Sequence, residues 1–308
     1  MNANAAIDKT VVVGQFGLNA IHRPQQVMAV AGGKGANVAR ALQRLGETPV
    51  VAGWVGGYSG QFIAAGLRGE GIATAFVETG SESRTCLSIL DPEQNTLTEI
   101  YERGEPVSET HVAEFRDLFR AIVGQYAAVT LSGSLPPGVP DDFYAELIAI
   151  ARTAQVPTLL DSSGTALKHG LERGRPLLIK PNATEFAALA GVELNAVEAI
   201  AGAAARLARE YATIVVVSLG ADGALAASAT ETLLARPPEL PIASAVGSGD
   251  STLAGLAYAL VRDWPLADAV RYGVAAGTAN ALTIGGGQFS TDDFTSVHAQ
   301  VDVETCAC

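Results

Sequence analysis

From about residue 48 onward, short apolar, β-branched runs alternate with longer stretches of helical periodicity, and this alternation restricts the fold more than any other feature. Residues 49–55, 74–77, 128–131, 158–160, 177–180 and 213–217 read as strands. Residues 60–67, 109–126, 141–154, 196–211, 251–262 and 266–282 read as helices. Parallel strands need a crossover long enough to hold a helix, so this order predicts a mainly parallel sheet covered on both faces, a three-layer α/β/α domain. A chain of 308 residues buries about three quarters of its unfolded surface, enough for one such domain with an appendage.

Two stretches break the alternation. Residues 9–30 and 84–101 hold strand-like pieces at 10–13, 27–30, 85–90 and 96–100 with no helix between them, and the polar turn 90–96 joins the last two as a hairpin. The expectation is a single domain over residues 1–308 with a small β-sheet, drawn from about 9–31 and 84–104, that covers the mouth of the α/β body as a lid. An exposed sheet of this kind also offers a surface for a homodimer.

The net charge of −12 and a pI near 4.8 exclude a nucleic-acid partner, because a phosphate backbone would be repelled. Three cysteines, Cys86, Cys306 and Cys308, make no disulfide framework, and Cys306-Ala307-Cys308 reads as a terminal tail rather than a soft-metal site. No run approaches the ~18 apolar residues of a membrane span, and residues 1–5 carry neither a basic nor an apolar stretch. The expected compartment is the cytoplasm.

Four segments carry chemistry. In Val246-Gly247-Ser248-Gly249-Asp250, glycines before a helix free the backbone N–H groups to converge on an anion, and Asp250 there is placed to take a proton from an attacking hydroxyl. Read alone, Ser248 or Asp250 is as easily a helix cap. Gly32-Gly33-Lys34-Gly35-Ala36-Asn37 also opens a helix, and Lys34 and Asn37 add a charge and a planar amide. Neither segment is a P-loop or a dinucleotide fingerprint: the spacing Gly-x4-Gly-Lys-Ser/Thr is absent, and Val38 and Thr252 stand where a third glycine is required. Ser132-Gly133 follows a strand, where ligands of open α/β sheets gather. Asn182-x-x-Glu185 places an amide and a carboxylate one helical turn apart, which suits a hydrated Mg²⁺ held largely through water and equally suits an ordinary capping box.

In their order along the chain these motifs resemble the ribokinase-like, or PfkB, carbohydrate kinase family, over residues 4–287. Residues 4–8, 35–40, 131–138, 178–182 and 217–223 resemble the branch that contains 1-phosphofructokinase, tagatose-6-phosphate kinase and the minor 6-phosphofructokinase, although Ala5 stands where proline is common. The resemblance implies a ribokinase-like phosphotransferase acting on an alcohol group, with ATP as co-substrate and Mg²⁺ as cofactor. Asp250 would be the base, with Gly247, Ser248 and Gly249 around the phosphoryl group. Asp8, Gly33 and Asn37 would hold the sugar, while Lys34, Arg84 and Ser132 hold its existing phosphate. Lys180, Asn182, Glu185, Ser218, Gly220 and Gly223 would serve the nucleotide, Asn280 would approach the adenine, and Glu185 would reach Mg²⁺ through water.

The leading expectation is conversion of fructose 1-phosphate to fructose 1,6-bisphosphate, with tagatose-6-phosphate kinase or 6-phosphofructokinase as alternatives. A free-sugar or nucleoside kinase is disfavoured by Lys34 and Arg84 together. A non-catalytic sugar or nucleotide sensor is disfavoured by retention of Asp250 between the expected glycines and the helix.

Overall fold

The computed structural model describes residues 1–193 and 196–306, so Cys308 lies outside the described residues. The chain begins with β1 (Ala6–Val12), β2 (Gln26–Gly32), α1 (Lys34–Arg44), β3 (Val50–Gly56), α2 (Gly57–Gly69), β4 (Ala73–Thr79), β5 (Arg84–Asp91) and β6 (Thr96–Tyr101). It continues through α3 (Glu109–Ile122), β7 (Val129–Ser132), α4 (Phe143–Thr153), β8 (Thr158–Asp161), α5 (Gly164–His169), β9 (Leu178–Ile179), α6 (Ala183–Ala190) and α7 (Val197–Tyr211). The last part is β10 (Ile214–Ser218), β11 (Ala224–Ala227), β12 (Thr232–Arg236), α8 (Ser248–Leu260), α9 (Leu266–Ala281), α10 (Thr291–His298) and β13 (Asp302–Thr305).

The main sheet has the order β13-β12-β11-β10-β9-β8-β7, and β3 and β4 form a parallel pair. Asn2 joins the two sets: it bridges Gly53 of β3 and Ser132 of β7, both in parallel. One residue does the work of a strand there, with its N–H donating to Ala52 O at 2.7 Å. The Met1 ammonium is buried behind it, donates to Thr130 O, and is pushed down to about 5 by that burial.

β7 through β10 run parallel, as the crossover helices demand, but β11, β12 and β13 are antiparallel. The sequence reading missed these three strands. β10 and β11 are separated only by a 3-10 turn at Gly220–Asp222, too short for a crossover, so the chain must double back. The residues of β11, Ala-Leu-Ala-Ala, include no β-branched side chain; they are extended because all four are buried within the sheet.

Aromatic residues Trp54, Phe115, Phe143 and Phe186 fill one face under α3, α4 and α6, while Val38, Leu253, Leu256 and Val274 fill the other under α1, α8 and α9. Among the described residues no helix is long and apolar enough to cross a membrane.

The two irregular stretches do form one separate sheet, ordered β2-β1-β5-β6. It begins at Ala6 rather than Lys9, because Ala6–Asp8 already pair with Gly32–Val30 and with Arg84–Cys86. Asp8 therefore belongs to a strand of the small sheet and not to a loop before it. Val27, Val30, Leu97, Ile100 and Tyr101 leave this sheet with exposed apolar side chains.

Candidate active site

Four neighbouring parallel strands deliver polar residues to one edge of the main sheet. β7 ends at Ser132, β8 at Asp161, β9 leads into Lys180, and β10 ends at Ser218. These are C-terminal ends, beyond which an open α/β sheet leaves a crevice. Two helix starts face the same edge. Gly33 enters α1 at φ 98° and Gly247 enters α8 at φ 80°, conformations that favour glycine. Each turn then releases a helix whose first turn carries polar side chains: Lys34 and Asn37 on α1, Asp250 on α8.

Asp161 is the centre of the cluster. It is 1% exposed, with Lys34 Nζ 2.9 Å from one carboxylate oxygen and Lys180 Nζ 3.0 Å from the other. Burial alone would raise its pKa, but the two ammonium groups outweigh that and hold it below the usual carboxylate value. Burial likewise works against the charge on Lys34, yet Asp161 and Asp250 keep that lysine above its ordinary value. Asp250 is buried and accepts a hydrogen bond from Asn37 Nδ2 at 2.9 Å. Desolvation, followed by the nearby Asp161 charge, pushes it up to about 6. Asn37 is itself oriented, because its Oδ1 accepts from Arg40 Nη1 at 3.2 Å and Arg40 Nη2 pairs with Glu70 at 2.9 Å. The amide nitrogen of Asn37 therefore faces the carboxylate and its oxygen faces the guanidinium.

The other expected residues divide into groups. Asp8 accepts from Gly33 N–H at 3.3 Å, and burial raises its pKa. A side chain at Gly249 would meet Lys180 Nζ at 3.3 Å, so the glycine admits the lysine to the α8 turn. Asn182 pairs with Ser218 in a β-bridge, and Gly220 and Gly223 flank the adjoining turn with φ of 65° and 90°. The hydroxyls of Ser132 and Ser248 are buried without a hydrogen-bond partner among the described residues.

One expectation changes. Asn280 is 0% exposed: its Oδ1 accepts from Ser251 Oγ and Gln288 N, and its Nδ2 donates to Val246 O. An amide spent in this way inside the protein is not available to an adenine. Arg84 lies near Asp8 and is half-buried. It donates to the carbonyls of Asn4 and Glu102. The sequence reading also missed Asp161. Its signal was present, an acid closing the apolar strand Thr158-Leu159-Leu160 in the manner of Ser132 and Lys180 on neighbouring strands.

Asn182 and Glu185 form a reciprocal capping box, each backbone N–H donating to the other's side chain at 2.9 Å. Among the described residues no group of three or more His, Cys, Asp or Glu side chains is placed to hold a metal ion. This donor set fits a cation that keeps most of its water and rides on nucleotide phosphates, as Mg²⁺ does, and does not fit a caged metal. A cavity of about 330 Å³, lined by Met1, Val50, Ala128 and Tyr258 among others, includes none of Lys34, Asp161, Lys180 and Asp250.

The model of the pfkB family carbohydrate kinases matches residues 2–293. Tagatose-6-phosphate kinase of Staphylococcus epidermidis is 32% identical over 305 residues, 98% of each chain. Among solved structures, phosphofructokinase-2 from Escherichia coli in complex with fructose-6-phosphate superposes with a TM-score of 0.89 at 29% identity, covering 97% of this chain and 96% of that one. A possible 1-phosphofructokinase from Thermotoga maritima gives a TM-score of 0.91 at 27% identity, over 99% and 98%. The ribokinase-like, three-layer expectation therefore holds.

The ionised form of Asp250 is a burden on the fold. Its folded pKa of about 6 lies above the ordinary 3.8, so the penalty is absent below about pH 4, develops between the two values, and is complete above pH 6. Asp250→Asn is expected to raise Tm at pH 7–8 and to leave it unchanged near pH 4, measured by thermal unfolding across pH. A Tm that falls at pH 7–8 would show that Asp250 is compensated in the fold.

Proposed function

The chain belongs to the pfkB family of carbohydrate kinases, and on that premise we propose that it transfers the γ-phosphoryl group of ATP to a hydroxyl of a ketohexose phosphate. The observation that carries the reading is Asp250. A buried carboxylate with a raised pKa stands at a helix N-terminus, oriented by Asn37 and within the field of Lys34 and Lys180. A base with a pKa near 6 is ionised at neutral pH and still basic enough to accept a proton as the hydroxyl attacks.

In this reading the sugar oxygen forms a bond to the γ-phosphorus while its proton passes to Asp250. The bond from that phosphorus to the β,γ-bridging oxygen breaks, its electron pair leaves with ADP, and Asp250 later returns the proton to solvent. The first amides of α8 face the phosphoryl group, and Lys34 and Lys180 offset its negative charge. Asp161 positions both lysines by holding one on each oxygen. Asp8 and Asn37 hold sugar hydroxyls, and Lys34 with Ser132 receives the existing phosphate. Arg84 completes that clamp by exchanging its backbone carbonyl partners for the phosphate. Lys180, Asn182, Glu185, Ser218, Gly220 and Gly223 frame the nucleotide. Glu185 would hold Mg²⁺ through water, and the bound cation would supply charge neutralisation on the nucleotide phosphates.

Fructose 1-phosphate is the proposed acceptor. Tagatose 6-phosphate is the second reading, favoured by the 32% identity to the Staphylococcus relative of that name. Fructose 6-phosphate is a third, favoured by the phosphofructokinase-2 complex. The small sheet is proposed to close over the sugar and exclude water, which would otherwise hydrolyse ATP, and its exposed apolar face to pair two copies.

A coupled ADP-release assay over these three phosphates and the unphosphorylated sugars tests the class; turnover as fast on free fructose as on every phosphate would overturn it. With the best substrate, kcat should rise with pH through about 6, and Asp250→Asn should lower it about 10²-fold or more. A variant with near-normal turnover would remove Asp250 from the mechanism. Arg84→Ala should raise KM for the sugar phosphate about tenfold while leaving KM for ATP near its normal value; an equal effect on both substrates argues against the clamp. For the lid, amides of residues 9–30 and 84–101 should exchange with solvent rapidly in the free protein and slowly with sugar phosphate present, and sedimentation should give a dimer. Equal protection with and without ligand means a rigid sheet, and a monomer removes the pairing.

A further inference from the structure

The end of α9 holds an amide in a place where apolar side chains would pack. Ala275, Ala276, Ala279 and Ala281 around it are buried, and Asn280 is 0% exposed. Its carboxamide joins three separate segments. Oδ1 accepts from Ser251 Oγ at 3.2 Å, one residue after the catalytic carboxylate. The same oxygen accepts from Gln288 N at 3.1 Å, at the close of the glycine loop 285–287. Nδ2 donates to Val246 O at 2.8 Å, one residue before the left-handed turn at Gly247.

The glycine loop reaches the carboxylate by a second route. A Cβ on Gly286 would fall 2.4 Å from Asn37 Cγ, and a Cβ on Gly247 would fall 2.4 Å from Gly286 Cα. Gly286 therefore lies directly against both the side chain that donates to Asp250 and the turn that launches α8. Thr283 Oγ1 closes the base of this loop by donating to Gln288 O at 2.5 Å. Moving the loop would move Asn37, and with it the only hydrogen bond that the described residues donate to the Asp250 side chain.

We infer that Asn280 is a positioning residue for phosphoryl transfer: it fixes the 246–251 turn and the 285–288 loop together, and so sets Asp250 and the first amides of α8 against the reacting phosphoryl group. The inference rests on the reading of Asp250 as the base. An apolar residue of similar volume would fill the space but leave Val246 O and Gln288 N unpaired, so packing alone does not account for the amide. The charged groups that face Asp250 are Asp161, Lys34 and Lys180, with Asn37 as hydrogen-bond donor, and among the described residues Asn280 hydrogen-bonds to none of the three charged side chains. Its effect on Asp250 is consequently one of geometry and not of a direct charge contact.

The test compares wild type, Asn280→Ala, Asn280→Asp and the milder Ser251→Ala. Asn280→Asp keeps the acceptor for Ser251 and Gln288 and loses the donor to Val246; Ser251→Ala keeps the amide and loses one of its partners. Misplacing a reacting group by about 1 Å costs on the order of a hundredfold, so kcat is expected to fall tenfold to about a hundredfold in the Asn280 variants and less in Ser251→Ala. KM for sugar phosphate and for ATP should stay within about twofold. A carbon-13 NMR titration of the Asp250 carboxyl gives a readout that does not need turnover, and its midpoint should move from the wild-type value in Asn280→Ala, which adds no charge of its own. Folded variants with wild-type kcat and an unmoved Asp250 titration would overturn the inference. A rise in KM for ATP alone would also overturn it, by returning Asn280 to the nucleotide. Should wild type transfer no phosphoryl group to any ketohexose phosphate, the kinase reading fails on that result, and the carboxyl titration still decides whether Asn280 sets Asp250. If the Asn280 variants do not fold, Ser251→Ala carries the same comparison.

Discussion

Burying a carboxylate is costly unless cations stand on its oxygens, and Asp161 meets that condition on both sides. Lys34 comes from α1 and Lys180 from the end of β9, so the two contacts tie the first helix of the body to the middle of the main sheet. Remove the carboxylate and two ammonium groups would face each other in a crevice, one of them nearly fully buried. With Asp250 ionised, two lysines balance two aspartates and the cluster is neutral. When Asp250 takes up a proton, the same cluster carries one net positive charge. The raised pKa of Asp250 and the depressed pKa of Asp161 are two consequences of this arrangement: one carboxylate has both cations in contact, and the other has burial and a like charge.

The small sheet is coupled to this centre by the covalent chain itself. Asn2 completes the main sheet between β3 and β7, and four residues later the same strand direction continues as β1. The side chain of Asn2 also accepts from Gly35 N–H and donates to Gly32 O, holding both sides of the turn that presents Lys34. The Gly33 N–H in turn donates to Asp8 on β1. Tilting the small sheet thus moves a carboxylate bonded to the glycine turn, and the turn carries the lysine that touches Asp161.

Asn182 with Glu185, and Asp250 with Asn37, are each open to a plain capping reading from sequence, and the structure treats the two pairs differently. The capping box of α6 is fully formed, so the ordinary structural reading of Asn182 and Glu185 is true. It does not compete with a role at the nucleotide, since one carboxylate oxygen is enough for the box. Asp250 is the opposite case. It lies inside the first turn of α8 and accepts from Asn37 on another helix, and the N-cap, Gly247, has no side chain with which to cap.

Much of this molecule was written in local pattern. Alternating strand and helix periodicity gave the parallel body, and the two stretches lacking helices gave the small sheet, because periodicity and chain length act within a few turns of the backbone. The glycine turns ahead of Lys34 and Asp250 were legible for the same reason: positive φ is a property of one residue. Residues 224–227 were not, since alanines have no strand preference and became a strand only when neighbours buried both faces. Asp161 was visible as an acid at the end of a strand, but its partners lie 127 residues earlier, at Lys34, and 19 later, at Lys180, and nothing local says that two lysines will converge on it. Asn280 reads from the resemblance as approaching the adenine, yet its amide faces inward to Val246, Ser251 and Gln288, because sequence fixes which groups a side chain has and only packing decides which way they point. The sequence by itself determined the layers, the turns and the inventory of charges; the tertiary structure alone decided their pairing, since charge energies depend on separations of a few ångströms between groups far apart along the chain.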